Sequence, residues 1–222
     1  MQGKTHFFVG IAASLAICQP QNFSMLVAGT GAAAVGSVIC DIDAGSSSAH
    51  HDADKIITVI IAAIASVIIV DMNFHIGIYE KILQKTEQTY LVTIALLFLV
   101  VCAFGKSTRH RTFMHSILAL LVLSGMVFLV YAPMTPYFSI AFLSHILLDL
   151  LNRRKVSLFW PAKKGVCVGF CKSNGFVNGI FFAIGMTAAI MLLITSVPVR
   201  STGNRIGQWG EQVVQMIQGF LP

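Results

Sequence analysis

Residues 144–152 set an imidazole and a carboxylate into an otherwise apolar stretch of the chain. His145 and Asp149 are four residues apart, so a helix stacks both side chains on one face, and Asn152 extends that face by another turn. Ionisable groups are costly in lipid, so we expect this face to look into the protein. A neutral His and a carboxylate at this spacing can ligate a metal ion, or they can join two membrane helices through a hydrogen bond.

Further His and Asp residues occur near the ends of other apolar segments. They are His6, Asp41, Asp43, His50, His51, Asp52, Asp54, His110 and His115. Successive membrane crossings put all of them at the same end of a helical bundle as His145 and Asp149, while His75 and Asp71 fall at the other end. This shared position predicts a metal cluster. Mixed imidazole and carboxylate ligands suit Zn²⁺, or Mn²⁺ if carboxylates dominate, as one or two ions with an open position for water.

The local sequence around Asp41, Asp43 and His115 fits metal binding, but it also fits other roles. Asp41 and Asp43 form a D-x-D turn, which holds metals but also ends many helices. With Thr112 as a helix cap, His115 falls in the first helical turn and is a good ligand candidate.

Basic residues precede His115. His110 suits a metal ligand, a proton shuttle or a surface position. Arg109 and Arg111 beside a helix N-terminus form an anion pocket suited to phosphate, and they equally fit the positive charge of a cytoplasmic loop.

The composition excludes an ordinary soluble domain. Of the 222 residues, 56% are hydrophobic and 11% are charged, and the mean hydropathy is +0.80. These values predict an all-α fold, a polytopic helical bundle embedded in the lipid bilayer. The net charge of +6 fits basic cytoplasmic loops. Since the chain has no basic helix and no basic patch interleaved with aromatic residues, we expect no nucleic-acid partner.

Seven apolar segments occur along the chain. They cover residues 6–18, 23–40, 55–72, 89–104, 113–132, 137–151 and 175–197. The second segment is rich in small residues, which suit close helix packing: Gly29, Gly31, Ala32, Ala33, Ala34 and Gly36. Residues 1–198 are the predicted membrane domain. In residues 199–222, apolar residues at helical spacing predict an amphipathic helix that lies at the outer interface or packs against the bundle.

Charge predicts the orientation of the bundle. Placing the loops 105–112 and 152–174 on the cytoplasmic side puts eleven of the fifteen Lys and Arg residues inside. The positive-inside rule favours this arrangement, which also puts the His and Asp cluster on the cytoplasmic side.

Several motifs, in order along the chain, resemble one known family. They are His6 with Gly10, Asp41-Ile42-Asp43 with Ser46, His110-Arg111-x-x-x-His115-Ser116, Ser144-His145-x-x-x-Asp149-x-x-Asn152 and Phe159-Trp160-Pro161. Covering residues 6–161, they resemble the YdjM family of bacterial inner-membrane proteins. That family is classed by inference as metal-dependent hydrolases, with distant similarity to zinc-dependent phospholipase C and P1-type nucleases. The resemblance implies metal-site roles for His6, Asp41, Asp43, His110, His115, His145 and Asp149.

We therefore expect a membrane-embedded metal-dependent hydrolase of the bacterial inner membrane. Its expected substrate is a phosphoester such as a lipid phosphate or headgroup, attacked by a metal-activated water. The predicted metal ligands are His6, Asp41, Asp43, His115, His145 and Asp149, and the predicted catalytic residues are Asp43, His110 and Arg111. Two alternatives use the same residues: a metal or proton transporter, and a non-catalytic membrane protein whose His–Asp pairs stabilise the bundle.

Overall fold

The protein is helical throughout the part that its computed structural model describes, which is residues 1–43, 50–85, 87–162, 164–172, 175–196 and 198–199. Its helices are α1 (Gly3–Cys18), α2 (Phe23–Val38), α3 (His50–Phe74), α4 (Ile78–Lys85), α5 (Gln88–Ser107), α6 (Ile117–Tyr131), α7 (Thr135–Leu150) and α8 (Phe176–Thr195). These residues contain no β-strand, only isolated bridges between Asn152 and Cys171 and between Val156 and Val166. The predicted all-α fold is confirmed.

Each of the seven predicted apolar segments corresponds to one helix, namely α1, α2, α3, α5, α6, α7 and α8. The sequence did not predict α4. Its apolar residues alternate with Glu80, Lys81 and Lys85, so its mean hydropathy does not mark it. The predicted amphipathic helix of residues 199–222 lies outside the described residues, except for Val199.

Four stretches are long and apolar enough to cross a membrane. They are Phe23–Asp43, Gln88–Ser107, Ile117–Leu150 and Phe176–Thr195. The pair Ile60–Phe74 and Ile78–Gln84, bent by 100°, adds a fifth if it counts as one span. The predicted membrane protein is therefore confirmed, with four to five candidate spans among the described residues.

The stretch Ile117–Leu150 is a hairpin. The Ser139 hydroxyl donates to Ser124 Oγ at 2.8 Å, whereas these two residues of a straight helix would be about 22 Å apart. The chain reverses at the 3₁₀ segment Ala132–Met134, which has Pro133 within it. Helices α6 and α7 are therefore antiparallel neighbours, as the separate fifth and sixth apolar segments predicted.

The bundle is closest-packed around α1, which contacts α2, α7 and α8, while α2 also packs along α7. A Cβ atom at Gly36 would lie 2.5 Å from the carbonyl oxygen of Phe138, and one at Gly29 would lie 2.7 Å from the ring of Tyr137. The Ser14 hydroxyl donates to the carbonyl oxygen of Tyr137 at 2.8 Å. Gly29 and Gly36 of the predicted small-residue surface thus face α7, which is the helix that carries His145 and Asp149, whereas Gly31 faces Val67 of α3.

Substituting Gly36→Ala is expected to destabilise the bundle by about 1–3 kcal/mol, because the new methyl group meets backbone that cannot rotate away. The matched control is Gly125→Ala on α6, where an added Cβ has nothing within 4 Å. The measurement is the free energy of unfolding of the purified protein in mild detergent. Equal stabilities for the two variants would contradict the close α2–α7 contact.

Asp71 fixes the C-terminal end of α3. Its carboxylate accepts hydrogen bonds from the backbone N–H groups of Ile78 and Tyr79, each at 2.8 Å. These bonds satisfy the first amides of α4 and hold the bend between α3 and α4. Asp71 lies about 31 Å along α3 from His50 and has a structural role there.

Candidate metal centre

Four separate elements bring the predicted metal ligands together. Helix α1 carries His6, the 3₁₀ segment Ile39–Asp43 carries Asp41 and Asp43, the 3₁₀ segment Phe113–His115 carries His115, and α7 carries His145 and Asp149. Since the spacing of four residues on α7 aligns His145 and Asp149 on one face, both are buried toward α1 and α2. His110, from the loop before Phe113–His115, lies at the edge of the same cluster.

Three buried imidazoles form the centre of the cluster. The rings of His6 and His145 are stacked, with centroids 3.8 Å apart and an interplanar angle of 18°. The ring of His115 meets that of His145 nearly edge-on at 5.2 Å. All three residues are at most 1% exposed.

Carboxylates surround the imidazoles at distances too long for hydrogen bonds. His6 Nε2 lies 3.4 Å from Asp149 Oδ1, and His115 Nε2 lies 3.4 Å from Asp149 Oδ2. His145 Nε2 lies 3.5 Å from Asp41 Oδ1, and His115 Nε2 lies 3.7 Å from the same atom. The Nε2 atoms of all three His residues are buried without a hydrogen-bond partner. Such unpartnered polar atoms are costly in a packed interior unless something else binds them.

These distances fit a metal ion. Bonds of about 2.1 Å at tetrahedral angles separate neighbouring ligand atoms by about 3.4 Å, which is the spacing seen between nitrogen and oxygen here. Three overlapping groups offer ligand atoms within 4.8 Å of one another: His6 with Asp41 and His145, Asp41 with His110 and His115, and His115 with His145 and Asp149. Because Asp41 belongs to two of these groups, the cluster has room for one ion or for two that share a carboxylate.

A hydrogen bond on the outer side of the cluster orients His145. The Nδ1 atom of His145 is 2.7 Å from the carbonyl oxygen of Ser37, so it donates its proton there and leaves Nε2 free to bind a metal. Asp43 Oδ2 lies 3.5 Å from Nδ1 of His115. Sequence analysis could not predict this role of Ser37, because its contribution is a backbone carbonyl that any residue supplies.

Asp149 is held by two cationic groups as well as by the imidazoles. Arg111 Nη2 lies 3.0 Å from Oδ2, and the α-amino group of Met1 donates to Oδ1 at 2.8 Å. Both cations are buried with the carboxylate. Arg111, which the sequence predicted to steady the substrate, therefore contacts the cluster directly, and its other contact is the carbonyl oxygen of Arg154 at 3.1 Å.

The loop that carries Arg111 has an unusual backbone. Arg111 has φ = 67°, a left-handed conformation that costs a residue with a side chain about 1–2 kcal/mol. Two hydrogen bonds hold it: its N–H donates to Asp43 Oδ2 at 3.2 Å, and its carbonyl oxygen accepts from the Ser157 N–H at 2.9 Å. Trp160 packs on Phe113, with ring centroids 5.2 Å apart. The segment after α7 thus clamps the loop onto the cluster.

One prediction about this loop was wrong. Thr112 is the N-cap residue of the 3₁₀ segment Phe113–His115, without a capping hydrogen bond from its side chain, and it does not cap α6. The cap is Ser116, whose Oγ accepts from the Ala119 N–H at 3.1 Å. His115 instead ends a 3₁₀ turn before α6, because Ser116 and Thr112 both suit capping and the sequence does not choose between them.

His115 has the most negative surroundings in the cluster. Burial disfavours its protonated form, but the carboxylates of Asp149, Asp41 and Asp43 outweigh burial and hold the pKa of His115 well above its usual value. The negative charge that favours a proton also favours a divalent cation, which competes for the same ring nitrogen.

The cluster reaches solvent at one edge. The side chains of Asp41 and His110 are 19% and 34% exposed, whereas that of Asp43 is fully buried. His110 Nδ1 lies 2.7 Å from Asp43 Oδ1. A proton can therefore pass between the buried carboxylate and the surface through His110.

Comparison with known proteins agrees with this architecture. The family model of the YdjM inner membrane protein matches residues 1–210. The chain belongs to the YdjM inner membrane protein family. Neither the curated proteins nor the solved structures contain a match to it. The family resemblance seen in the motifs is confirmed, while the distant similarity to phospholipase C and P1-type nucleases is not and stays a prediction.

The remaining predicted groups of this YdjM-family chain lie elsewhere. The side chains of His50, His51, Asp52 and Asp54 fall outside the described residues. His75, like Asp71, is at the opposite end of α3 from the cluster, as expected.

Proposed function

We propose that this YdjM-family protein is a membrane-embedded, metal-dependent hydrolase that cleaves a phosphoester on a lipid headgroup. The observation that carries the proposal is the set of unpartnered Nε2 atoms of His6, His115 and His145, each 3.4–3.7 Å from a carboxylate oxygen. A purely structural cluster would close these gaps with hydrogen bonds of about 2.7–3.2 Å. The long spacing supports binding of a metal ion and argues against His–Asp pairs that only stabilise the bundle.

His6, Asp41, His115, His145 and Asp149 would hold the metal. Mixed imidazole and carboxylate donors suit Zn²⁺, with Mn²⁺ as the second choice. When bound, the ion supplies Lewis acidity, which polarises a phosphoryl oxygen and activates water. A transporter would need polar groups along the membrane path, but Asp71, at the far end of α3, has its oxygens bound to backbone N–H groups.

The remaining polar residues have roles in proton transfer and substrate binding. Asp43 accepts a proton from the attacking water as a general base, and His110 relays it to solvent, since the pair is 2.7 Å apart and His110 is partly exposed. Arg109 is exposed on the same loop and steadies the anionic phosphate. Arg111 binds the phosphate from the buried side of the site, through its Nε atom, which has no hydrogen-bond partner.

The location of the site is part of the proposal. The YdjM family is an inner-membrane family, and the basic loops of this chain, 105–112 and 152–174, flank the cluster. We place the protein in the bacterial inner membrane as a multi-pass protein with the cluster at the cytoplasmic headgroup layer. There the site meets phosphate groups of lipids directly.

The test is hydrolysis by the full chain in phosphatidylcholine vesicles that contain phosphatidic acid. Released inorganic phosphate is the readout. Phosphate release is expected to stop after treatment with a chelator and to return with added zinc. A zinc-loaded protein that releases phosphate from neither phosphatidic acid nor other phospholipid monoesters, and that instead moves zinc across the vesicle wall, would replace the hydrolase with the transporter.

His110→Gln is expected to lower the turnover rate by about 100-fold or more, because a positioned proton relay contributes about that much. The zinc ion held by His6, Asp41, His115, His145 and Asp149 should stay bound. The matched control is His75→Gln, an exposed His at the other end of α3, which should keep full activity. Rescue of the variant's turnover by added imidazole, with no change in zinc content, separates a relay from a structural role. Unchanged turnover in His110→Gln would remove this residue from the mechanism.

A further inference from the structure

An apolar groove begins beside the metal centre and runs away from it. It has a volume of about 710 Å³ and lies between α2, α3, α5 and the α6–α7 hairpin. Its lining is apolar apart from Asp71 and Tyr79 at the far end, and both oxygens of Asp71 are occupied by backbone N–H groups. This volume is that of an ordinary ligand site.

The near end of the groove touches the segment that carries two cluster residues. Ile39 and Ile42 line the groove, and in a 3₁₀ turn residues three apart share one face. Asp41, between them, points instead to the cluster, where it forms the solvent-accessible edge. The groove and the open edge of the metal centre are therefore adjacent along a single turn of chain.

The length of the groove matches one lipid leaflet. Along α2 its lining runs from Ala28 to Ile39, and along α3 it runs from Ile60 to Asp71, each a rise of about 16 Å. Half of a hydrocarbon core about 30 Å thick is about 15 Å. A single hydrocarbon chain that enters at one headgroup layer thus fills the groove from end to end.

The groove opens sideways. Four of its lining residues, Ile61, Ile64 and Ile68 on α3 and Leu99 on α5, are each at least 50% exposed. In a membrane these exposed faces meet lipid, so a hydrocarbon chain can enter between α3 and α5 without crossing water.

Cations lie beyond the metal end of the groove. Past its near end at Cys102, helix α5 continues to the exposed residue Lys106, and the exposed Arg109 follows in the loop. At the far end, the carboxylate of Asp71 has Lys81 close by. The cations of α5 and its loop favour an anionic headgroup at the metal end.

We propose that this groove binds one hydrocarbon chain of a phosphate-bearing lipid, with the phosphate at the Asp41 edge of the His/Asp cluster. The position of the phosphate rests on the proposed hydrolase function. The binding of the chain rests only on the groove. The substrate is then a long-chain lipid phosphate, and water-soluble phosphoesters without a chain are poor ligands.

Photo-crosslinking tests the proposal without needing hydrolysis. The full chain in phosphatidylcholine nanodiscs is illuminated with a phosphatidic acid that has a diazirine midway along one chain, and labelled peptides are identified by mass spectrometry. The label is expected on the groove faces of α3 and α5. A fatty alcohol probe of the same chain length, which has no phosphate, should label these faces less.

Ala95→Trp fills the groove from α5, at an exposed position where no packed side chain is displaced. It should lower groove labelling at least about tenfold, an effect that displacing two methylene groups from an apolar site produces. The control is Ala103→Trp, also exposed on α5 but outside the lining, which should label like the wild type.

Two results would overturn the lipid-chain site. One is labelling that is spread evenly over the lipid-facing helices, including α8, and that is equal in Ala95→Trp and the wild type. Bulk membrane lipid would give this result. The other is the absence of label from the groove faces of α3 and α5 in the wild type. Groove labelling in a protein that hydrolyses nothing would leave the lipid site standing and remove the hydrolase proposal alone.

Discussion

Asp149→Ala is expected to destabilise the folded protein by about 3–5 kcal/mol and to abolish metal binding. The carboxylate faces Arg111 Nη2 at 3.0 Å and the α-amino group of Met1 at 2.8 Å, and all three groups are buried. Removing the carboxylate leaves two buried cations without the counter-charge that each one contacts directly. The measurements are the free energy of unfolding in mild detergent and the zinc content.

Asp149→Asn separates the two effects. The amide keeps the size of the side chain and one oxygen for Arg111, so we expect a smaller loss of stability than for Asp149→Ala. It has no negative charge to offer a cation, so zinc binding should fall in both variants. If Asp149→Ala unfolds with the same free energy as the wild type, the ion pairs around Asp149 do not form.

His145→Ala is expected to weaken zinc binding by at least about 100-fold, since the variant loses a ligand and not merely a group that orients one. His145 Nε2 has no hydrogen-bond partner, so its removal breaks only the bond from Nδ1 to the Ser37 carbonyl. Zinc titration of the purified protein against a competing chromogenic chelator measures the affinity.

Ser37→Ala is the matched control for His145→Ala. It removes the hydroxyl, which donates only to the carbonyl oxygen of Ala34, and it leaves the backbone carbonyl that orients His145. Zinc affinity should therefore be close to that of the wild type. Equal zinc affinity in His145→Ala and Ser37→Ala would exclude His145 as a ligand.

Much of the architecture could be predicted because lipid imposes simple rules. Apolar segments mark the helices, and the spacing of His145 and Asp149 on α7 follows from helical geometry alone. His6, Asp41 and His115 could be predicted to lie near His145 and Asp149, because successive membrane crossings place all five residues on the same side of the membrane. The structure brings together all the residues predicted as ligands.

Other features depend on tertiary contacts that no local pattern shows. The carbonyl of Ser37 and the α-amino group of Met1 are backbone groups, so their residue types reveal nothing. Helix α4 is too polar to be recognised by its hydropathy. Its first amide groups are capped by Asp71, which belongs to the preceding helix. The groove arises from the gap between α3 and α5, and a gap between helices has no sequence signature.

The metal-binding proposal explains several features that a purely structural cluster would not. Buried imidazole nitrogens lack partners, and the loop at Arg111 holds a left-handed backbone against its own preference. Strain and unsatisfied polar groups concentrate where a protein binds something. Both features occur here within one cluster of residues from four elements.

Metal content tests this proposal most directly. The full chain, extracted from the membrane in mild detergent, incubated with zinc and separated from free metal by gel filtration, is analysed by inductively coupled plasma mass spectrometry. The cluster predicts about one or two zinc ions per wild-type chain and less than about a tenth of that in a variant with His6, His115 and His145 all replaced by Gln. A folded wild-type chain that retains no zinc or manganese, or a triple variant that retains as much as the wild type, would contradict it.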